Sequence, residues 1–158
     1  MNTQRHRIKW FATLACLALA AGLAFAQTAT AVDPQTSLAG LWKTIDDDTN
    51  QEKSHVRISE AAGALSGKIE KILDPTKQDS TCEKCSDARK NQKVLGMTII
   101  ENVKKASGED HWDSGTILDP NNGKTYKVRL TPKDGGKVLE VRGFIGPFYR
   151  NQKWLRLE

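Results

Sequence analysis

Eight short strand-like segments, opened by Gly40-Leu41-Trp42 and closed by Trp154-Leu155-Arg156, constrain this chain more than anything else in it. They fall at residues 38–44, 54–61, 64–73, 97–104, 112–118, 125–131, 138–144 and 152–157. No long stretch carries the 3.6-residue apolar period of an amphipathic helix. Turn chemistry separates the segments: Ala62-Gly63, Asp119-Pro120-Asn121-Asn122-Gly123 and Pro132-Lys133-Asp134-Gly135-Gly136. Pro fixes φ there, while Gly and Asn tolerate positive φ. Short connections predict an antiparallel meander. Pairing the first strand with the last leaves no open edge. The expected fold is all-β, an eight-stranded antiparallel up-and-down barrel over residues 38–158. A barrel of that size either fills itself with side chains or holds one small ligand.

The residues before the barrel read differently. Arg5, His6, Arg7 and Lys9 precede an apolar stretch from Trp10 to Phe25, and Ala24-Phe25-Ala26 offers a small-x-small cleavage pattern. Residues 1–26 are therefore expected to be a secretory signal peptide. The run is short for a membrane span, which needs roughly 20 apolar residues, and polar Gln27-Thr28 follows it. Cys16 has Thr, not Leu, three positions before it, so it reads as part of the leader and not as a lipid anchor. Residues 27–37 are a flexible lead-in. Without the three basic residues of the leader, 21 Lys and Arg face 19 Asp and Glu, a net charge of +2. That gives nucleic acid no electrostatic footing. The expected location is the periplasm or the exterior of a bacterium, with no transmembrane span after the leader and a monomer favoured.

Alternation assigns the strand faces. Tyr126, Val128 and Leu130 alternate with Lys127 and Arg129, and Leu139 and Val141 with Glu140 and Arg142. Val56 pairs in phase with Ile58, and Ile99 with Val103. These side chains are expected to line the interior, where a small apolar ligand would meet them. Trp112 fits either a cavity wall or a barrel-end plug. Glu60 and Glu101 fall on the inward phase. Each either orients a ligand inside or is turned outward by a bulge, and the bulge is favoured. Ile-Leu-Asp-Pro occurs at 72–75 and again at 117–120. Both copies follow odd-numbered strands, so both exits should lie at one barrel end.

Cys82 and Cys85 are the only cysteines beyond the leader. In an oxidising compartment the first reading is a structural disulfide shaping residues 74–94. A thiol-exchange site would want a helix N-terminus, and zinc would want four ligands. Neither context is present in the sequence, and no metal or cofactor is expected. A bridge this close in sequence closes a tiny loop, so its loss should cost little. Gly-x-Ser-x-Gly, His-Glu-x-x-His and phosphate-cradling patterns are absent from the sequence. Asp46-Asp47-Asp48 lacks the alternating spacing of a calcium loop. The chain is not expected to be an enzyme.

Gly40-x-Trp42 on the first strand with Arg156 on the last resembles the lipocalin and calycin pattern, in which a basic side chain packs across the Trp ring. A closer resemblance runs through Gly40-Leu41-Trp42-Lys43-Thr44, Ile72-Leu73-Asp74-Pro75, Cys82-Glu83-Lys84-Cys85, Leu95-Gly96, Gly115-Thr116-Ile117-Leu118-Asp119-Pro120, Gly123-Lys124-Thr125-Tyr126 and Val141-Arg142-Gly143. Together these are similar to a family of small exported bacterial proteins catalogued as a domain of unknown function. The resemblance implies a lipocalin-like barrel and export, and no catalytic residue. Function is then expected to be the binding of a small apolar or amphipathic molecule in the bacterial envelope. The alternative is a filled barrel that acts through its surface as a structural or protein-interaction module.

Overall fold

The computed structural model describes residues 37–158 apart from Asp48. The leader and residues 27–36 lie outside the described residues. Eight strands follow in order: β1 Gly40–Ile45, β2 Glu52–Ala61, β3 Ala64–Ile72, β4 Thr98–Lys105, β5 Trp112–Asp119, β6 Lys124–Lys133, β7 Val138–Ile145 and β8 Phe148–Arg156. Each pairs antiparallel with the next, and β8 closes on β1. The expected barrel is therefore the observed one. Its last strand begins earlier than alternation alone indicated. Gly146 takes positive φ (57°), and Ile145 pairs directly with Phe148 across a two-residue turn.

The seam is short. Trp42 faces Arg156, Lys43 faces Leu155 and Thr44 faces Trp154. Residues 148–152 of β8 extend past β1 and have only β7 as a strand partner. Arg150 Nε donates to Asp47 Oδ2 at 2.8 Å and ties the extension to the β1–β2 turn.

Packed apolar side chains fill the centre. Trp42, Val56, Ile58, Leu65, Ile100, Val103, Val128, Leu130, Leu139, Val141 and Trp154 are all buried. Each such aliphatic side chain contributes roughly 1.5–3 kcal/mol by leaving water. Two surface concavities lie elsewhere. One, of about 480 Å³, opens between the 89–98 segment and Glu101, and the other, of about 280 Å³, crosses β6 to β8 near Asp47. Neither is lined by the residues that fill the centre.

In β4 plain alternation fails at Ile99 and Glu101, and the bulge favoured for Glu101 is present. Ile100 pairs with Ile117 on the inward side, while Glu101 pairs with Thr116 on the outward side. Asn102 sits at φ 57°, a bulge that restores Val103 to the interior. Alternation carried back from Val103 across that bulge puts Ile99 and Glu101 on the wrong face. Ile99 points away from the barrel axis, and Glu101 lies outside with its carboxylate 3.6 Å from Arg89. Glu60 differs. It pairs with Leu65 with no register shift after Val56, so it keeps the inward phase. It is exposed because its strand ends there.

Outward-phase Ile99 and Leu118 are nevertheless buried. Residues 74–97 lie over this wall and account for it. Cys82 and Cys85 form a disulfide, and both are buried. Cys82 N donates to Gln92 O and Asn91 N to Cys82 O, which folds the segment on itself. Arg89 pairs with Asp87, and this hydrogen bonding raises the guanidinium pKa. The same side chain reaches Thr98 O and Thr125 Oγ1 on the wall beneath. Both Ile-Leu-Asp-Pro exits open at this end of the barrel, as expected. Asp74 Oδ1 accepts from Thr76 N and Asp119 Oδ1 from Asn121 N. Hydrogen bonds from the Thr76 side chain and backbone hold the Asp74 carboxyl below its ordinary pKa.

Two expected results follow from this segment. A Cβ on Gly123 would lie 2.0 Å from Lys84 O, and Gly123 has φ 70°. Gly123→Ala should push the disulfide segment off the β5–β6 turn, at a cost of about 1–3 kcal/mol. Hydrogen exchange should quicken at Cys82 and Asn91 while β7 stays protected. Replacing Cys82 and Cys85 together by Ala opens a four-residue loop whose closure entropy is worth about 2 kcal/mol. The melting temperature should fall by no more than about 10 °C. A drop of several tens of degrees, for the variant or for the reduced protein, would contradict that small role.

Candidate functional site

Strand direction gives the two barrel ends different characters. The turns at 62–63, 106–111 and 134–137 share one end with Ser37 and Glu158. The turns at 46–51, 120–123 and 146–147 and the 74–97 segment share the other.

The first end is plugged. Trp42 is fully buried, and its indole Nε1 donates to Leu38 O at 2.9 Å. The Arg156 guanidinium lies 4.2 Å from the centroid of that ring. It donates to Ser37 O at 2.7 Å, Gly136 O at 2.7 Å and Ala39 O at 3.0 Å. Burial pushes the Arg156 pKa down from its ordinary value. Three carbonyls and an indole face still make it a fixed cation. Gly40, with φ 140°, is required beside it, since a Cβ there would lie 2.9 Å from Arg156 Nη1 and 2.3 Å from Glu158 O. The Gly-x-Trp spacing thus places a bare backbone next to the cation and the indole beneath it.

At the second end the barrel is open, and its lining changes from packed to half-exposed. Ile117 and Tyr126 pair across β5 and β6 on the inward phase, and both are half-buried. Gly143 pairs with Val128 one step away. Gln152, also inward, accepts from Trp154 Nε1 at 3.3 Å. Thr44 Oγ1 lies 2.9 Å from Ser54 Oγ on the facing strands. The Tyr126 hydroxyl accepts from Asn122 Nδ2 at 3.0 Å, and Asn122 in turn donates to Asp119 Oδ2. Beyond these, Ile145 and Phe148 continue the inward phase of β7 and β8 as a lip, 56% and 74% exposed. Arg150, between Phe148 and Gln152, shares that phase, so the mouth joins apolar side chains to a cation and a few fixed polar groups. Apolar surface with a few placed polar groups is the ordinary chemistry of a small-molecule site.

Of the interior residues expected to meet a ligand, Val56, Ile58, Val128, Leu130, Leu139 and Val141 pack the centre. Trp112 pairs with Leu130 near the plugged end, with Lys105 Nζ 3.9 Å from its ring centroid. Ile99 and Glu101 lie on the outer wall. Tyr126 alone reaches the mouth. Sequence reasoning missed Ile117, Gln152, Ile145 and Phe148. The last two had a signal, because Gly146-Pro147 between Phe144-Ile145 and Phe148-Tyr149 has the form of a two-residue hairpin loop.

A closed eight-strand barrel, plugged by a Trp–Arg pair at one end and open at the other, defines a lipocalin-like protein. The chain belongs to the family described as uncharacterized protein conserved in bacteria (DUF2147), whose model matches residues 40–156. Among solved structures it is similar to protein HP1028 from the human pathogen Helicobacter pylori, described as belonging to the lipocalin family. The two are 21% identical, the likeness covers 77% of this chain and 84% of that one, and the TM-score is 0.66. That likeness is one of fold. No curated protein matches the chain.

Proposed function

We propose that this is an exported, non-catalytic protein of the bacterial envelope that binds a small apolar or amphipathic molecule at the barrel mouth. One contrast carries the reading. The centre is occupied by its own side chains, whereas Ile117, Tyr126, Ile145 and Phe148 present apolar surface to solvent at the mouth. A ligand would lie in the mouth and not thread the barrel. Export is supported by the tripartite pattern of residues 1–26 and by the disulfide, which suits an oxidising compartment.

Dodecanoate serves as a probe, having an apolar chain and a single polar head. Titrated into the protein, it should raise the melting temperature in proportion to log concentration once saturation is passed. Phe148→Ser should weaken the effect about tenfold, while Val128→Ala should lower stability and leave probe affinity unchanged. The filled centre also favours a second reading, a barrel acting through its surface on another macromolecule. Native mass spectrometry of protein taken from its own envelope separates the two. A co-purified small molecule supports the first, and a bare chain with a protein partner supports the second. N-terminal sequencing of the same material should begin at Gln27.

A further inference from the structure

We propose that the β7–β8 hairpin docks this protein on the surface of an anionic phospholipid bilayer. The inference goes beyond the ligand reading and does not require it. The tip is apolar on both faces. Ile145 and Phe148 hold the inward phase, and Phe144 and Tyr149 the outward one, with their rings 6.5 Å apart. Ile145, Phe148 and Tyr149 are the most exposed large apolar side chains among the described residues. A groove on a partner protein would cover one face of such a tip and leave the other wet. A bilayer interface surrounds both.

Cations stand beside and behind the tip. Lys127 stands opposite Phe144, Arg150 opposite Gly143, and Arg129 opposite Arg142 opposite Asn151. At a rise of about 3.3 Å per residue the two apolar rows occupy roughly the first 7 Å from the turn. Lys127 is level with the second of them, and Arg150, Arg129 and Arg142 leave the backbone in the next two rows. Interfacial segments bury roughly 5–10 Å into the headgroup boundary. Ile145 and Phe148, the row nearest the turn, would therefore reach the acyl edge while the cations around the second row meet the phosphates. Arg142 lies 4.4 Å from the Tyr149 ring centroid and Arg129 5.8 Å from that of Phe144, so both guanidinium groups sit against the outward rings of the second row. Three carboxylates offset part of this charge: Glu140 at 3.3 Å from Arg142, Asp113 at 3.8 Å from Arg129 and Asp47 on Arg150. Lys127 is exposed and makes no ion pair among the described residues.

The test is cosedimentation with vesicles, using the chain from Gln27 onward. That chain holds every strand of the barrel and omits the apolar leader, which would itself enter lipid. Vesicles of phosphatidylethanolamine and phosphatidylglycerol should pellet the protein, phosphatidylcholine vesicles should pellet far less, and added salt should release it. Ile145→Ser with Phe148→Ser should weaken partition by about tenfold or more, and Phe148→Leu should keep it. Lys127→Gln and Arg142→Gln should each weaken it roughly fivefold on the anionic vesicles only. The substituted tip residues are exposed, so melting temperatures should stay at the wild-type value and report an intact barrel. Wild-type protein that remains in the supernatant with anionic vesicles, or a double-serine variant that pellets like wild type, overturns the proposal. Because no probe ligand is present, a failure here leaves the mouth reading standing, and a failed dodecanoate titration leaves this one standing.

Discussion

Trp42→Ala is expected to cost the barrel about 3–5 kcal/mol, the usual range for deleting a buried large aromatic. Trp42 is fully buried and pairs with both Val56 and Arg156 across two strand interfaces. Its removal opens a cavity at the seam, frees Leu38 O from its only described side-chain donor, and takes away the ring under Arg156. The seam has three residue pairs, supplemented by the Arg156 side chain on Ser37 O and Ala39 O and the Leu157 amide on Leu41 O, and Trp42 packs beneath these links. Urea denaturation should show a lowered midpoint, together with faster exchange at Leu157, whose amide donates to Leu41 O. Lys153→Ala supplies the comparison. Lys153 is exposed on β8, the strand that closes on β1, and its loss should change stability by less than about 0.5 kcal/mol. A near-neutral Trp42→Ala would mean that the first and last strands are not joined as described.

Arg156→Ala is expected to cost about 2–4 kcal/mol, as three carbonyls lose a charged donor together and the indole loses its cation. Arg156 is itself held at a desolvation cost, shown by its lowered pKa, so the net effect is smaller than the sum of its contacts. Two substitutions separate the contributions. Arg156→Lys keeps the charge but presents a single point donor where a planar fork reaches three carbonyls, and should still lose about 1–2 kcal/mol. Arg156→Met keeps apolar cover on the Trp42 ring and leaves the carbonyls unpaired. If Met restored wild-type stability, the fork of hydrogen bonds would contribute nothing net. If Lys did, geometry would not matter and charge alone would.

Which parts of this could be read from the sequence follows from where alternation is unbroken. In β6 and β7, Val128, Leu130, Leu139 and Val141 sit in regular register, and period two places them correctly. The first and last strands carried their own markers, Gly40-x-Trp42 and Arg156. In β4 the bulge at Asn102 shifts the phase by one residue, and a count of two cannot register an extra residue. Alternation therefore sets Ile99 inward, and it leaves the bulge favoured for Glu101 without a position. A second bulge, at Ser114 with φ 65°, separates Trp112 from Gly115, so the phase of β5 changes within the strand. That hid Ile117 as a mouth residue. The burial of Leu118 and Ile99 was hidden for another reason. Their cover is the 74–97 segment, whose path over the wall depends on contacts such as Lys84 against Gly123 and Arg89 against Glu101. Those are far apart in sequence, and no local pattern encodes them. The open mouth lay beyond reach because it depends on which end the plug occupies and how far β8 outruns β1.

The central proposal is that the barrel is filled at its centre and that a ligand binds at its mouth. Methyl-resolved NMR during a dodecanoate titration tests it most directly. Shifts should appear at Ile117 and Ile145 and at the mouth-facing Thr44, while Ile58, Leu130, Leu139 and Val141 keep their resonances. Movement of Leu130 and Leu139 ahead of Ile117 and Ile145 would mean that the ligand enters the barrel centre, and would contradict the account.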